Sequence, residues 1–151
     1  MLSYEASASI AAARQAVWSV LADVLNWPGW TPTVLKVEAL DSPELKVGHR
    51  FRVHQPKLRP SVWTVIAVDA PTRFTWESRM PGLVMTADHS VEATAERASK
   101  LTLRFALGGL LGAIVGPMNR KMVRSYMAQE AESLRKRLEG HAVDSTRSGL
   151  S

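Results

Sequence analysis

The stretch "FALGGLLGAIVGPMNRKM", residues 105–122, carries glycines at 108, 112 and 116 in an apolar run that turns abruptly basic. It reads either as a membrane anchor or as the point where a buried strand hands over to a helix. A helix that crosses a bilayer needs about 20 apolar residues, and the run from Phe105 to Met118 is shorter. Glycines at four-residue spacing mark membrane helix pairs only inside a full-length apolar segment. The stretch therefore belongs inside a globular fold. Phe105 ends a strand, Gly108 and Gly109 make a turn, and Gly112 and Gly116 let a helix backbone approach its neighbours closely. Pro117 either kinks that helix or opens its main segment at the first-turn position that proline tolerates.

Downstream, the spacing predicts a long helix over about 109–139. At ~100° per residue, Leu111, Val115, Met118, Met122, Tyr126 and Gln129 form one stripe. Val123, Met127, Leu134 and Leu138 form a second, offset by roughly a third of a turn. A buried face that rotates in this way suits a helix lying on a twisted sheet. Upstream, the runs 33–41, 47–55, 61–69, 72–80, 83–94 and 98–107 are rich in β-branched and aromatic residues. Turn chemistry such as "DSPELKVG", "QPKLRP", "DAPTR", "MPG" and "TAERAS" separates them. Hairpin-length joins between consecutive strands mean an antiparallel sheet. Before them, "LSYEASASI" (2–10) alternates like a half-buried strand, and "AARQAVWSVLADVL" has helical spacing up to the break "NWPGWTP". The helix opens on "IAAARQ", where alanine offers no side-chain acceptor, at a cost of about 1 kcal/mol.

With 151 residues, 46% hydrophobic and 22% charged, the chain has material for one domain with a sizeable core. The absence of cysteine removes disulfides, thiol catalysis and thiolate metal sites. "MLSYEASASI" has neither a basic n-region nor a long apolar h-region, so a cytoplasmic protein is expected. The net charge of +5 raises nucleic acid or an anionic membrane as partners. Its densest group, Arg120, Lys121, Arg124, Arg135, Lys136 and Arg137, alternates with Glu130, Glu132 and Glu139, as a solvated helix face does. No nucleic-acid partner and no transmembrane segment are expected. Residues 141–151 are polar and read as a disordered tail.

Strand, two short helices around a tryptophan break, six antiparallel strands and one long helix form an α+β layout of about seven strands. The segments "AVWSVLADVLNWPGWTP" (16–32), "LKVGHRF" (45–51), "PTRFTWES" (71–78), "DHSVEAT" (88–94) and "GGLLGAIVG" into "EAESLRKRLE" (108–139) carry a resemblance to the START-like or SRPBCC superfamily. Within it, the chain resembles the polyketide cyclase/dehydrase and lipid-transport type. The resemblance implies the helix-grip fold, with a curved sheet wrapped around the C-terminal helix. It also implies one ligand-binding domain over 1–140, an apolar cavity between sheet and helix, and no cofactor. Activities across the superfamily range from lipid carriage to ring cyclisation, so fold alone does not fix function.

Strand alternation nominates the cavity residues. Phe51, Val53 and Gln55 oppose Arg50, Arg52 and His54; Phe74, Trp76 and Ser78 oppose Thr75, Glu77 and Arg79. Met85, Ala87, His89, Val91 and Ala93 oppose Thr86, Asp88, Ser90 and Glu92. The run "SVWTVIAVD" is apolar on both phases, which leaves Trp63 unassigned. The candidate ligand-binding cavity comprises Trp30, Phe51, Val53, Phe74, Trp76, Met85, His89, Met118, Met122 and Tyr126. Trp27 either lines it or anchors the tight break. Methionines give a deformable wall, though they also simply fill gaps. His89 is the candidate catalytic residue, since an inward imidazole near its ordinary pKa of about 6.5 suits proton transfer. The competing reading is a neutral core histidine bonded to a backbone carbonyl or to Tyr126. No inward carboxylate is expected to accompany it, because Asp88 and Glu92 lie on the opposite phase, so no acid/base pair is read.

His49, His54, His89 and His141 show no HxH or HxxxH spacing, so no metal site is expected. A phosphate-binding Gly-Lys-Ser/Thr loop and a GxSxG elbow are both missing from the sequence. Three functions follow. The first is binding, sequestration or transport of a hydrophobic small molecule such as a lipid, quinone or polyketide-like aromatic, by a monomer or homodimer. The second is a cyclase or dehydrase acting in the same cavity, with His89, Tyr126 or Gln129 moving protons or stabilising an enolate. The third is an interaction module that uses the basic helix face.

Overall fold

A computed structural model of the chain describes residues 2–112 and 120–148, with side chains through Gly140. The chain runs β1 (Leu2–Ile10), α1 (Arg14–Leu21), a 3-10 helix (Val24–Gly29), β2 (Lys36–Ala39), β3 (Arg50–His54), β4 (Ser61–Asp69), β5 (Arg73–Met80), β6 (Leu83–Ala95), β7 (Ala98–Gly108) and α2 (Arg120–Ser148). The strands form one antiparallel sheet in the order β1-β7-β6-β5-β4-β3-β2. From β2 to β7 it is a simple meander, and β1 closes the far edge against β7, from Leu2 opposite Leu107 to Ile10 opposite Ser99. Register shifts between Val65 and Ala67 and between Ala93 and Ala95 bend the long strands, as bulges do. This curved sheet gripping a C-terminal helix is the α+β helix-grip fold.

Alternation holds on the inner face. Phe51, Val53, Val65, Phe74, Trp76, His89 and Val91 are buried there, and Trp63 joins them. Its strand is therefore assigned: Trp63 and Val65 face inward, while Val62 and Ile66 are exposed. Thr75 and Asp88 are buried although they sit on the outward phase. They do so because Asp88 Oδ1 accepts hydrogen bonds from Thr75 Oγ1 at 2.7 Å and from Arg73 Nε at 2.6 Å. Charge-assisted bonding compensates the carboxylate for lost water.

α1 opens without a side-chain cap at Ala13. Tertiary bonds hold its approach instead, with Ala11 N–H donating to Glu139 Oε1 at 3.2 Å and Ser99 Oγ to the Ala12 carbonyl at 2.7 Å. On α2 the buried stripe is Met127, Ala131, Leu134 and Leu138, the second of the two read from the sequence. Gln129, assigned to the first stripe, is exposed and donates to Ser125 on its own helix. α2 is helical through Ser148, past the end near 139 that periodicity indicated, so residues 141–148 of the expected tail are assigned to it. The run 33–41 shortens to Lys36–Ala39. Thr31 and Thr33 leave the ladder and bond each other, Oγ1 to Oγ1, at 2.8 Å in the interior.

The glycine-rich stretch does hand a strand over to a turn. β7 ends at Gly108, and Gly109 takes φ +87°, where a Cβ would lie 2.6 Å from the Gly82 carbonyl oxygen. That carbonyl accepts the Leu111 N–H at 2.8 Å, which locks the turn to the β5–β6 hairpin. Val115, Gly116, Pro117 and Met118 lie outside the described residues. Among the described residues no helix is long and apolar enough to cross a membrane.

Candidate functional site

A cavity of about 400 Å³ lies between the inner face of the sheet and α2. Its floor follows from register: Trp76 pairs with Val65 on one side and Ala87 on the other, and Ala87 pairs with Phe105. A methyl between two large rings leaves depth that a third large residue would fill. Trp63 stands 5.8 Å from Trp76 and 6.4 Å from Phe105 between ring centroids. Met122, Val123, Tyr126, Met127 and Glu130 of α2 form the opposite wall. Exposed Leu58, Arg59 and Met80 also line it and mark the side open to solvent.

Trp27 closes one end. Its indole Nε1–H donates to the Leu21 carbonyl at 2.9 Å, and its ring packs 5.3 Å from Trp76 and 5.4 Å from His89. The single residue thus both anchors the 3-10 helix and lines the cavity. Trp30 packs against Trp27 with centroids 5.7 Å apart and does not reach the cavity. That corrects its place among the cavity residues: Trp30 packs edge-on to Trp27, at 62° between planes, and Trp27 is the indole of the two that lines the hollow.

Of the other nominated residues, Val53, Trp76, Met85, His89, Met122 and Tyr126 line the cavity. Phe51 and Phe74 face inward but lie behind the lining, fully buried. Phe51 is 6.2 Å from Trp76, and Phe74 stacks on His89 at 4.2 Å with 8° between planes. They stiffen the wall rather than form it. Met118 lies outside the described residues.

Opposite His89, a carboxylate completes the polar corner of the cavity. Glu130 Oε1 lies 3.9 Å from His89 Nε2, too far for a direct hydrogen bond. Among the described residues neither Glu130 Oε1 nor His89 Nδ1 has a hydrogen-bond partner. Burial lowers the His89 pKa to about 4, against the opposing pull of the Phe74 backbone and the Asp88 charge. Desolvation is the largest of these effects. Burial likewise raises Glu130 to about 7. Its side chain still keeps 16% of its surface exposed, and that residual solvation moderates the rise. Both groups are driven toward their neutral forms.

This corrects two expectations, that no inward carboxylate accompanies His89 and that Glu130, in a run of alternating charges, lies on the solvated face. The signal that points inward is its spacing, four residues after Tyr126 and eight after Met122, both on the cavity wall. Tyr126 is not the partner of His89: its hydroxyl donates to the Pro56 carbonyl at 2.5 Å. Among the described residues no group of three or more His, Asp or Glu side chains is placed to hold a metal ion.

Comparison with solved structures places the fold among START-like proteins. A START superfamily protein from Mycobacterium smegmatis superposes with a TM-score of 0.74 at 16% identity, covering 91% of this chain and 97% of that one. The Zhui aromatase/cyclase from Streptomyces sp. R1128 gives 0.63 at 21% identity, over 89% and 94%. The di-domain aromatase/cyclase BexL of the BE-7585A biosynthetic pathway gives 0.68 at 21% identity over 92% of this chain, which spans only 47% of that one. Among curated proteins no sequence matches at a significant level. The family model for polyketide cyclase / dehydrase and lipid transport matches residues 1–139, and the chain accordingly belongs to that family.

Proposed function

We propose that the protein binds and carries an apolar small molecule of lipid, quinone or polyketide-like aromatic character in the cavity beneath α2. The observation that carries this reading is the cavity itself, about 400 Å³ walled by Trp27, Trp63, Trp76, Phe105 and several methionines. That size and lining suit a ligand held by apolar contact and a few polar groups. A panel of fatty acids, sterols, flavonoids and quinones tests it by thermal denaturation and tryptophan quenching. A ligand at a hundredfold excess over its Kd stabilises the fold by about 2.7 kcal/mol. Unchanged melting and unchanged fluorescence across the panel would remove the proposal.

A cyclase or dehydrase reading has its own support in His89 and Glu130. An ionised Glu130 would take a proton from the carbon next to a ketone, and the C–H electron pair would become the enolate π bond. The carbonyl π pair would move to oxygen, where an imidazole N–H would donate. Exchange of that proton for deuterium, followed on a bound 1,3-diketone, tests the step. Equal exchange rates in wild type and in Glu130→Gln would exclude Glu130 as the base. The basic-face reading gains nothing comparable, since Arg135 is engaged by Glu132 and Glu139 on its own helix.

A further inference from the structure

The polar groups of the cavity are not equivalent. Gln55 Nε2 donates to the Thr33 carbonyl at 3.2 Å, Tyr126 to the Pro56 carbonyl at 2.5 Å, and Ser61 Oγ to the Arg59 carbonyl at 3.5 Å. Arg59 lies exposed toward solvent. Deep inside, His89 Nδ1 and Glu130 Oε1 have no partner among the described residues. Buried polar atoms are nearly always bonded, and each exception asks for an absent partner.

Their spacing says what kind of partner fits. A gap of 3.9 Å is bridged by one oxygen at about 2.8 Å from each atom, with about 90° between the two bonds. His89 and Glu130 both line the cavity, so a ligand held there can direct such an oxygen between them. The stack of His89 on Phe74 and the Trp27 ring beside it fix the imidazole plane, so the site is rigid before a ligand arrives. When Glu130 is a carboxylate it can only accept. The bridging oxygen must then donate to it and, with the imidazole proton on Nε2, accepts from that N–H. An alcohol or phenol does both; an ether or ester oxygen cannot donate.

We propose that His89 and Glu130 together form a hydroxyl-recognition site, which selects apolar ligands that carry an alcohol or phenol group directed at the point between Nε2 and Oε1. The proposal rests on the cavity being a ligand site, as inferred above, and adds the ligand's polar group.

Titration calorimetry with 1-naphthol and 1-methoxynaphthalene tests it. The two share an aromatic body and differ in whether the oxygen can donate. Near pH 8 the carboxyl, raised to about 7, is ionised, and a bond to a charged acceptor predicts at least about a tenfold preference for the naphthol. Glu130→Met, apolar and of similar length, should bind both probes alike. If that variant does not fold, Glu130→Gln replaces a charged acceptor by a neutral one and should cut the preference severalfold. Equal affinities in wild type, or a preference undiminished in the variants, would overturn the hydroxyl site and leave the cavity reading standing. Failure of wild type to bind either probe would instead remove the cavity reading, and this proposal with it.

Discussion

Replacing Glu130 by glutamine should stabilise the protein above neutral pH and leave it little changed in acid. Glutamine keeps the shape of the protonated side chain but never ionises. In wild type the unfolded chain releases this proton near the ordinary value of 4.5, while the folded chain holds it to about 7. A folded-state pKa raised in this way contributes stability that is fully present below 4.5 and is lost as pH rises through about 7. At about 1.36 kcal/mol per pH unit, the interval sets a ceiling of about 3 kcal/mol. The 16% of the side chain still exposed lowers the expected gain below that ceiling. His89 opposes in the acid direction, since burial lowers it to about 4, but both proteins carry it and it largely cancels in their difference. Urea denaturation of both proteins from about pH 5 to pH 9 reads that difference directly. It should climb between about pH 5 and pH 7 and then level off. Parallel stability profiles across the whole range would refute the assignment of Glu130 as a buried carboxyl.

Gly109→Ala forces a Cβ to 2.6 Å from the Gly82 oxygen in a backbone with φ +87°, so it should destabilise by about 1–3 kcal/mol. Gly48→Ala has a similar φ of +91° but open space; denaturation should show the smaller loss there, and equal losses would contradict the clash. Leu134→Ala empties a fully buried site under α2 and should cost about 2–5 kcal/mol. Its midpoint in urea should fall, and a loss under 1 kcal/mol would mean that α2 grips the sheet less tightly than its burial implies. Ala87→Leu fills the floor between Trp76 and Phe105. It should abolish probe binding measured by calorimetry while the fold persists, and undiminished affinity would place the ligand elsewhere.

How far the sequence carried depends on what kind of signal each residue gave. Strand order and inward phase were readable because alternation repeats along each run: Phe51 and Val53, Phe74 and Trp76, and His89 and Val91 all fell on the buried side. Alternation carries no direction where a strand is apolar on both faces, and the register of Trp63 against Phe51 is what sets its side. Nor does it reach Trp30, where a turn rather than a strand sets the side chain's path. Glu130 shows a different limit. Periodicity on a helix is read from apolar residues, and charge alternation assigns every glutamate in a basic run to water. That rule is right for Glu132 and Glu139, which pair with Arg135. It is wrong for Glu130 because the position four residues after Tyr126 looks into a hollow instead of onto packed side chains. A carboxyl can occupy that position at tolerable cost only while the hollow supplies a partner or water. The residue that breaks the pattern is therefore the one that reports the cavity's polar corner, and a binary reading of apolar and charged positions discards it for the reason that makes it informative.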